Sequence, residues 1–529
     1  MINLKELLNE DRKKDAWSRH CGFIDLSLKE FQQVQEHLLL EQIDLLSNCK
    51  LGQILLDGSL PQNGEEFRKV VPLTSYKDYH PYFKDKQEDV LPLKPSYWVC
   101  TSGAIDAYEY KWAPYPQGLA QTHIKNFLAS VIFSVSTKKG DFSLTEHQKF
   151  LYAMAPPPYL TGMVPYGVEK EFPFTYLPSL ATAEKMSFEE RNTEGFRLGL
   201  TQGIDLFFGV SSVLVRMGEK FAQAERNAAN QQKNNPIAWL RLARGLVRSK
   251  MKKRELLPRD VWSLKGIICA GTDTSFYKER IEYFWGKKPL EIYGGTEIGI
   301  AGTQAWDYEG MTLFPDANYW EFIPENEYLK SKADADYQPK TVLLAELEAG
   351  QRYELVMTSF KGGAFVRYRV GDMIRVLRLT NPALGIDLPQ VIYEDRIDDV
   401  IDLAGFTRIY ERTIWEALKE AGITHGHWLA CKAFAGGHPI VKIYLEMSDA
   451  QKAHTAMEDG IHQALCSVNT DYHNLAEIMA YRPFKLVAVS TIAYAKLKKK
   501  QRAEQADPAV FRRINPPEYL LQDLFGLEA

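Results

Sequence analysis

Short apolar runs alternate with helical patterns from Val70 onward, and this alternation limits the chain to a small set of folds. Three of these runs are rich in β-branched or aromatic residues: Tyr97–Cys100, Gly266–Gly271 and Tyr353–Met357. A chain that alternates strands with helices buries both faces of a mostly parallel sheet beneath the helices. The sequence therefore predicts an α/β architecture with a largely parallel sheet.

The chain is long enough for more than one domain, since its 529 residues correspond to roughly two to four domains of ordinary size. Residues 1–60 carry apolar side chains at helical spacing and predict a helical layer over a core. A predicted boundary at Asp395–Asp399 gives an N-terminal domain, residues 1–397, and an α+β C-terminal domain, residues 398–529. In the second domain we predict helices at Arg412–Ala421 and Ala450–Val468, and strands at Ile440–Leu445 and Phe484–Val489. Polar composition predicts loops at Gln223–Asn235 and Glu325–Pro339.

Charge and cysteine content exclude several classes of protein. The chain has 64 Lys and Arg against 68 Asp and Glu, and the net charge of −4 excludes a generally basic nucleic-acid-binding protein. Its six cysteines form no C-x-x-C pair, which argues against a disulfide scaffold or a thiolate zinc site and favours a reducing compartment. The most apolar stretch, Gly199–Met217, is too polar to span a bilayer. We therefore predict a cytoplasmic protein with neither a nucleic-acid nor a membrane partner.

The first candidate motif is Cys100–Lys111, which follows a strand-like run. Polyphosphate binding needs small residues that let backbone N–H groups approach, together with hydroxyl donors and a lysine. Thr101, Ser102, Gly103 and Lys111 supply these residue types. The alternative interpretation is a simple turn.

The second candidate motif is Tyr293-Gly-Gly-Thr-Glu297, also after a strand-like run. Tyr293 can stack on a base, Thr296 can bind a phosphate oxygen, and Glu297 can bind Mg²⁺. Gly295 belongs to the flexible pair that separates the aromatic from the polar residues. The alternative interpretation is a structural strand-to-loop transition.

The third and fourth candidate motifs are Tyr368-Arg-Val-Gly-Asp372 and the segment that begins at Arg396. Asp372 can accept two hydrogen bonds from a ribose diol, whereas the alternative is an ordinary Gly-Asp hairpin turn. Arg396 next to the carboxylate pair Asp398 and Asp399 is typical of an interdomain hinge. A surface ion-pair cluster explains the same residues equally well.

In chain order, these four motifs resemble the core motifs of the acyl-adenylate-forming superfamily and, more closely, of the Gretchen Hagen family of acyl-acid amido synthetases. Three further segments add to the resemblance: Val71–Tyr82, Gly350–Ser359 and Asn469–Tyr472. Together they cover residues from about 65 to 495. The resemblance implies a large N-terminal adenylate-forming domain with mixed and parallel sheets and a small, mobile C-terminal domain.

The resemblance also implies a reaction that uses ATP and Mg²⁺. A carboxylic acid is converted to an acyl-AMP, and the acyl group is then transferred to an amine, usually that of an amino acid. By position in the motifs, Ser102, Gly103 and Lys111 would contact the phosphates, Thr296 would touch the α-phosphate, and Glu297 would bind Mg²⁺. Tyr293 would stack on adenine, Asp372 would hold the ribose, and Arg396 would contact ribose or phosphate. Asp398 or Asp399 would be the pivot of the smaller domain. In the basic run Lys496–Lys500, Lys498 is the candidate for the catalytic C-terminal lysine, with a solvated basic face as the alternative.

Two other functions stay open from the sequence. One is an acyl-CoA ligase, in which coenzyme A replaces the amine. The other is a non-catalytic nucleotide-binding relative, because Ala104–Ala107 replaces part of the family's usual phosphate loop and Asp106 adds negative charge there. The apolar segment Leu206–Val213 predicts either a lining of the acyl site or a buried core helix.

Overall fold

In the computed structural model of the chain, the residues described are 3–10, 12–101, 111–223, 235–271, 274–334, 336–396, 400–404, 407–423, 427–447, 454–479, 481–490, 513–516 and 521. They form two compact units. The first unit contains the described residues up to Asp395, except Leu329–Tyr337, and the second contains Leu329–Tyr337 and the described residues from Arg396 onward. The predicted domain boundary lies in residues 397–399, outside the described residues, and stays a prediction.

The first unit opens with the helical layer that the pattern of residues 1–60 predicts. The longest helix, Leu28–Ser47, begins at a capping box in which the Ser27 N–H donates to Glu30 Oε2 over 2.8 Å and the Glu30 N–H donates to Ser27 Oγ over 3.3 Å. Its buried face includes Phe31 and Leu39. The helices of this layer are α1 (Leu4–Asn9), α2 (Lys13–Cys21), α3 (Leu28–Ser47), α4 (Lys50–Leu55), α5 (Gly64–Val70) and α6 (Tyr76–Phe83).

Nine further helices follow in the described part of this region of the chain. They are α7 (Gln117–Ser134), α8 (Leu160–Glu171), α9 (Leu180–Ala183), α10 (Phe188–Gln202), α11 (Ser211–Gln223), α12 (Pro236–Met251), α13 (Pro258–Val261), α14 (Thr274–Trp285) and α15 (Glu325–Ala333). The loop predicted at Glu325–Pro339 is wrong for residues 325–333. Acidic residues in the first turn of α15 and lysines in its last turn complement the helix dipole, which favours a helix there. α11 is described as far as Gln223; the loop predicted at Gln223–Asn235 falls mostly on residues 224–234, which lie outside the described residues, so it stays a prediction.

The central sheet of the first unit has seven strands among the described residues, in the order β4-β3-β5-β6-β7-β8-β9. Neighbouring strands are parallel from β4 to β7, and β8 and β9 are added in antiparallel fashion. The prediction of an α/β fold with a largely parallel sheet is confirmed. The strands are β3 (Lys149–Ala153), β4 (Thr175–Leu177), β5 (Leu206–Val210), β6 (Gly266–Ala270), β7 (Leu290–Gly295), β8 (Gly299–Thr303) and β9 (Thr312–Leu313).

The segment Leu206–Val213 is not a buried helix throughout, so that interpretation was wrong for its first half. Phe207 and Phe208 lie on the fully buried strand β5, and the helix begins only at Ser211. A strand buried on both faces is apolar at every position, so its pattern cannot be distinguished from that of a core helix.

A second, antiparallel sheet in the order β10-β11-β12-β13 contains the third motif. β12 runs without interruption through Gly371 and Asp372, so the alternative of a Gly-Asp hairpin turn is wrong. Gly371 has a φ of 79°, and the pairing of β11 with β12 is irregular nearby, which indicates a bulge rather than a turn. The strands are β1 (Pro95–Cys100) paired with β2 (Trp112–Pro116), then β10 (Asn318–Pro324), β11 (Arg352–Ser359), β12 (Tyr368–Arg378) and β13 (Gln390–Arg396).

Two buried glutamines join α3 to this second sheet. The Gln35 side chain donates to the Asn318 carbonyl over 2.8 Å and accepts from the Trp320 N–H over 2.9 Å. The Gln42 side chain makes the same pair of bonds, each 2.8 Å long, to the loop Gly362–Gly363. Each amide therefore pairs with one backbone carbonyl and one backbone N–H that would otherwise be buried without a hydrogen-bond partner.

The second unit is α+β, as predicted. Its three-stranded sheet has the order β16-β17-β18, with β16 antiparallel and β18 parallel to β17. The predicted last strand, Phe484–Val489, is confirmed at both ends, and the predicted helices and first strand are confirmed within a few residues. The elements are β14 (Val400–Leu403), β15 (Thr407–Tyr410), α16 (Glu411–Glu420), β16 (Trp428–Ala435), β17 (His438–Glu446), α17 (His454–Val468), α18 (Thr470–Met479) and β18 (Phe484–Val489).

Across the residues that the structure describes, every helix is too short or too polar to cross a bilayer.

Candidate functional site

The second motif forms the tight connection between β7 and β8. Gly294 pairs with Ile300 and Gly295 pairs with Gly299, so residues 296–298 lie at the tip of this hairpin. A Cβ on Gly294 would lie 2.5 Å from the Gly299 carbonyl oxygen, so only glycine permits this approach of the two strands. The glycine pair therefore fixes where the polar residues of the tip are placed.

The second and third motifs are joined by a hydrogen bond between Tyr293 and Asp372. The Tyr293 hydroxyl donates to Asp372 Oδ2 over 2.7 Å, and both side chains are buried. The ring of Tyr393 on β13 lies 6.3 Å from that of Tyr293, centroid to centroid. The aromatic residue expected at adenine and the carboxylate expected at ribose are therefore direct neighbours.

The first motif joins the other two through Glu297. Lys111 Nζ lies 3.9 Å from Glu297 Oε1, and the Tyr368 hydroxyl donates to the same oxygen over 3.2 Å. Lys111 Nζ also lies 5.3 Å from the centre of the Tyr76 ring on α6. Because the Lys111 and Glu297 side chains are almost fully buried, this pair is screened much less by solvent than a surface pair.

Thr101 and Lys111 are hydrogen-bonded to each other at the two ends of the first motif. The Thr101 N–H donates to the Lys111 carbonyl over 3.0 Å, and the Lys111 N–H donates to Thr101 Oγ1 over 3.1 Å. The Thr296 hydroxyl donates to the Cys100 carbonyl over 3.3 Å. These bonds place the start and the end of the first motif beside the tip of the second.

Two residues that the sequence did not predict, Tyr115 and His123, form hydrogen bonds with the backbone of the β7–β8 hairpin. The Tyr115 hydroxyl on β2 donates to the Thr296 carbonyl over 2.8 Å. His123 Nδ1 on α7 accepts from the Ile300 N–H over 3.1 Å, and burial lowers the pKa of His123 to about 4, so the ring is neutral. The imidazole lies where a Cβ on Gly299 would be. No motif marks Tyr115 or His123, although both follow the first motif closely in the chain.

The backbone of the third motif is held by a buried ion pair just before it. Arg367 Nη2 lies 2.7 Å from Glu321 Oε1, and Arg367 Nη1 donates to the Arg68 carbonyl over 2.7 Å. On the main chain, the Thr74 N–H donates to the Arg367 carbonyl over 2.9 Å. These contacts fix the direction in which β12 starts and therefore the position of Tyr368.

Six residues predicted for the site cannot be placed in full. Ser102, Gly103, Asp398, Asp399 and Lys498 lie outside the described residues. Arg396 is the last residue of β13, and nothing of its side chain is described. Their roles stay predictions.

The single carboxylate of Glu297 suits a cation that takes its other ligands from phosphate. Within the described ranges, no group of three or more His, Cys, Asp and Glu side chains is arranged to hold a metal ion by itself. Mg²⁺ in nucleotide sites is commonly bound by only one or two carboxylates together with phosphate oxygens and water. A single glutamate at the tip therefore fits magnesium bound together with a nucleotide.

Two family descriptions match the sequence. The GH3 family N-terminal domain matches residues 21–157, and the GH3 family central domain matches residues 311–387. The first range includes Thr101 and Lys111, and the second includes Asp372. Two of the three motif segments that meet at the site therefore lie within the matched domains.

Among known proteins, the chain is similar to the indole-3-acetic acid-amido synthetase GH3.17 of Arabidopsis thaliana. The two are 22% identical over 460 residues, which are 74% of this chain and 73% of the relative. Identity to the indole-3-acetic acid-amido synthetase GH3.4 of Arabidopsis thaliana is higher, 34%, but extends over only 113 residues, so this chain spans 18% of that relative's length.

Solved structures with a similar fold include an acyl acid amido synthetase and an acyl-CoA ligase. The AtGH3.15 acyl acid amido synthetase in complex with 2,4-DB has a TM-score of 0.52 at 15% identity, over 99% of this chain and 96% of that one. A 2-hydroxyisobutyryl-CoA ligase in complex with 2-HIB-AMP and CoA has a TM-score of 0.56 at 15% identity, over 90% of this chain and 93% of that one. The likeness confirms the predicted fold class.

Proposed function

Because the chain belongs to the GH3 family, as its motifs predict, we propose that it activates a carboxylic acid as an acyl-AMP and transfers the acyl group to an amine. The amine is most simply that of an amino acid, in line with the amido synthetases to which the chain is similar. The acyl acid enters as a carboxylate, which is a poor acyl donor until an oxygen is converted into part of a leaving group.

The observation that carries this proposal is the meeting of three motif segments at one place. Lys111 Nζ, from the first motif, and the Tyr368 hydroxyl, from the third, both lie within 4 Å of Glu297 Oε1, from the second. Tyr293, four positions before Glu297, and Asp372, four positions after Tyr368, meet at 2.7 Å. A single bound nucleotide can therefore contact all three segments at once.

In the first step, a carboxylate oxygen of the acid attacks the α-phosphorus of ATP, and the bond from that phosphorus to the β-phosphate oxygen breaks. The products are the acyl-AMP and pyrophosphate. The protein's task is to hold two anions together and to neutralise phosphate charge, which is electrostatic and positional work. In this proposal Lys111 and the hydroxyls of Thr101 and Thr296 face the phosphates, while Asp372 accepts hydrogen bonds from the ribose hydroxyls.

Magnesium enters the proposal through Glu297. The carboxylate is held in place by Tyr368 and Lys111, so it can supply one oxygen ligand with little reorganisation. Bound there together with the nucleotide, Mg²⁺ would supply positive charge against the phosphates. Removal of Glu297 should therefore weaken magnesium affinity and slow nucleotide activation together.

In the second step, the amine nitrogen attacks the acyl carbon, the bond from that carbon to the AMP oxygen breaks, and the nitrogen releases a proton. AMP and the amide are the products. We assign Asp398 as the pivot on which the smaller domain turns between the two steps, and Lys498 as the lysine that approaches the α-phosphate. Closure of this kind protects a reactive anhydride from water.

Acid-dependent exchange of pyrophosphate into ATP tests the first step directly. We expect exchange with at least one carboxylic acid from a panel, and a loss of about a hundredfold or more in Glu297→Gln and Asp372→Asn. Matched controls at exposed carboxylates of the first unit, Glu348→Gln and Asp387→Asn, should keep wild-type exchange. Full exchange in both site variants would show that the site is assigned wrongly.

The acceptor is tested with the activated acid by offering amino acids and coenzyme A in parallel. An amide as the product supports the proposal. A thioester formed without any amide would favour the acyl-CoA ligase instead. Nucleotide binding without acid-dependent exchange would favour the non-catalytic relative with the altered loop at Ala104–Ala107.

We place the reaction in the cytoplasm because it consumes ATP, and the six cysteines, none of them in a disulfide, are compatible with a reducing compartment.

A further inference from the structure

The helix α12 and the residues after it form the most one-sided charged segment of the first unit. Residues 236–254 contain seven Arg and Lys and no Asp or Glu. One of them, Arg254, is paired with the buried carboxylate of Asp260 at 2.6 Å. Five others are exposed to solvent: Arg244, Arg248, Lys250, Lys252 and Lys253. The segment therefore presents a concentrated positive charge on a protein whose overall charge is slightly negative.

The same helix also exposes an unusual amount of apolar surface. Its buried face consists of small or aliphatic residues that pack on the core: Ala238, Leu242, Gly245 and Ser249. On the opposite side lie Ile237, Leu240, Val247 and Met251, which are between 45% and 80% exposed. Five of the sixteen exposed large apolar side chains in the described residues lie on α12. Apolar side chains at such density on one exposed face indicate an interaction surface rather than scatter.

The spacing of these residues places the exposed apolar side chains along one side of the helix, as a stripe in two halves. Ile237, Leu240, Val247 and Met251 are separated by three, seven and four positions, which places them on one line along a helix. Arg244 interrupts the stripe at its middle. Ile237 and Met251 are 14 positions apart, so the stripe is about 21 Å long.

Trp239 and the cations lie on the two flanks of the stripe. At about 100° per residue, Trp239 and Lys250 fall on one side of it and Arg248 on the other. An apolar stripe with lysine, arginine and tryptophan at its edges is the arrangement of helices that lie in the plane of a membrane interface. Tryptophan and long cationic side chains both favour the boundary between headgroups and acyl chains.

We propose that the outer face of α12, together with Lys252 and Lys253, docks on the surface of an anionic lipid bilayer. The apolar stripe would enter the interface and the cations would contact lipid phosphates. A second copy of the chain is disfavoured as the occupant because pairing two such faces would bring like charges together. This proposal differs from the sequence-based expectation that no membrane is involved, and it is independent of the proposed enzymatic function.

Co-sedimentation with lipid vesicles tests the docking. We expect the full chain to bind vesicles of phosphatidylcholine with 30% phosphatidylglycerol and to bind pure phosphatidylcholine much more weakly. The triple variant K250Q/K252Q/K253Q should bind the anionic vesicles about a hundredfold more weakly, since each cation near such a surface contributes separately. The stripe variant I237Q/L240Q/V247Q/M251Q should lose affinity to a similar extent, and glutamine preserves helix propensity.

Matched controls use exposed positions elsewhere on the chain. The variant L40Q/I54Q/L60Q/L329Q removes four apolar side chains that are 40% to 58% exposed, and K14Q/K50Q/K138Q removes three exposed cations. Both controls should bind anionic vesicles as the wild type does. Equal losses in variants and controls would overturn the proposal, because binding would then not depend on α12.

Trp239 supplies a second readout that separates insertion from loose adsorption. Vesicles with brominated acyl chains should quench part of the tryptophan fluorescence, and this part should disappear in Trp239→Phe. The proposal is overturned if the wild type fails to bind anionic vesicles, or if the stripe variant binds as tightly as the wild type. It is also overturned if light scattering shows a dimer that the stripe variant converts to a monomer, because the stripe would then be an interface between two copies.

Discussion

Replacement of Arg367 with methionine is expected to lower the free energy of unfolding by about 3–5 kcal/mol, the usual cost of breaking a buried ion pair. Arg367 and Glu321 are buried, with side chains 6% and 0% exposed. Methionine fills a similar volume but leaves the carboxylate of Glu321 without its cation. It also removes the donor to the Arg68 carbonyl. The Thr341 hydroxyl remains as a donor to Glu321, which is too little to compensate a buried charge.

Equilibrium unfolding in urea, followed by tryptophan fluorescence, measures this loss. The double variant Arg367→Met/Glu321→Met removes both charges and should recover most of the stability, because an apolar pair of similar volume often replaces a buried ion pair at little cost. Arg375→Met is the control, since its pair with Glu394 is partly exposed and should change stability by about 1 kcal/mol or less. The reasoning is refuted if Arg367→Met costs less than about 1 kcal/mol, or if the double variant is as unstable as the single one.

Three further predictions concern pH, backbone shape and metal. Burial lowers the pKa of His20 and of His123 to about 4, so below an unfolded-state pKa of about 6.5 the unfolded chain takes up protons that the folded chain does not. Stability should therefore fall as the pH falls from about 6.5 to about 4, and His123→Gln should flatten this profile in urea unfolding at several pH values. Gly299→Ala, at a φ of 67° and with its Cβ 2.0 Å from the His123 ring, should lower pyrophosphate exchange at least about tenfold, whereas Gly350→Ala, at a φ of 83° in open space, should not. EDTA should abolish exchange, and added Mg²⁺ should restore it. In Glu297→Gln, about tenfold more Mg²⁺ should be needed for half-maximal exchange. Exchange that persists in EDTA would contradict a role for the ion.

Local patterns predicted those parts of the fold in which one residue's environment is set by its near neighbours. The helical layer of residues 1–60 follows from amphipathic spacing, and the strand Phe484–Val489 follows from a short apolar run bounded by polar residues. The failure at Glu325–Ala333 has the same origin: a charged segment can be a loop or a solvated helix, and only the order of its charges distinguishes them. At β5, burial on both faces removed the alternation that identifies a strand.

The candidate site divides in the same way between what is local and what is distant. Tyr293, Glu297 and Asp372 are recognisable because each belongs to a short motif. Tyr115 and His123 act on the hairpin tip through contacts 181 and 177 positions away in the chain, and no property of their own neighbourhood marks them. The exposed stripe on α12 was missed for a related reason, because a helix apolar on two sides is typical of a buried core helix until its surroundings are known.

The glutamines of α3 have a consequence for how the chain is made. Gln42 is bonded to Gly363, which lies 321 positions later. At ordinary rates of synthesis, about 15–60 s pass between the emergence of these two residues from the ribosome. Throughout that interval the Gln42 amide must be solvated by water or covered by a chaperone. Fragments truncated before Gly363 should therefore be soluble but protease-sensitive, because they do not fold on their own.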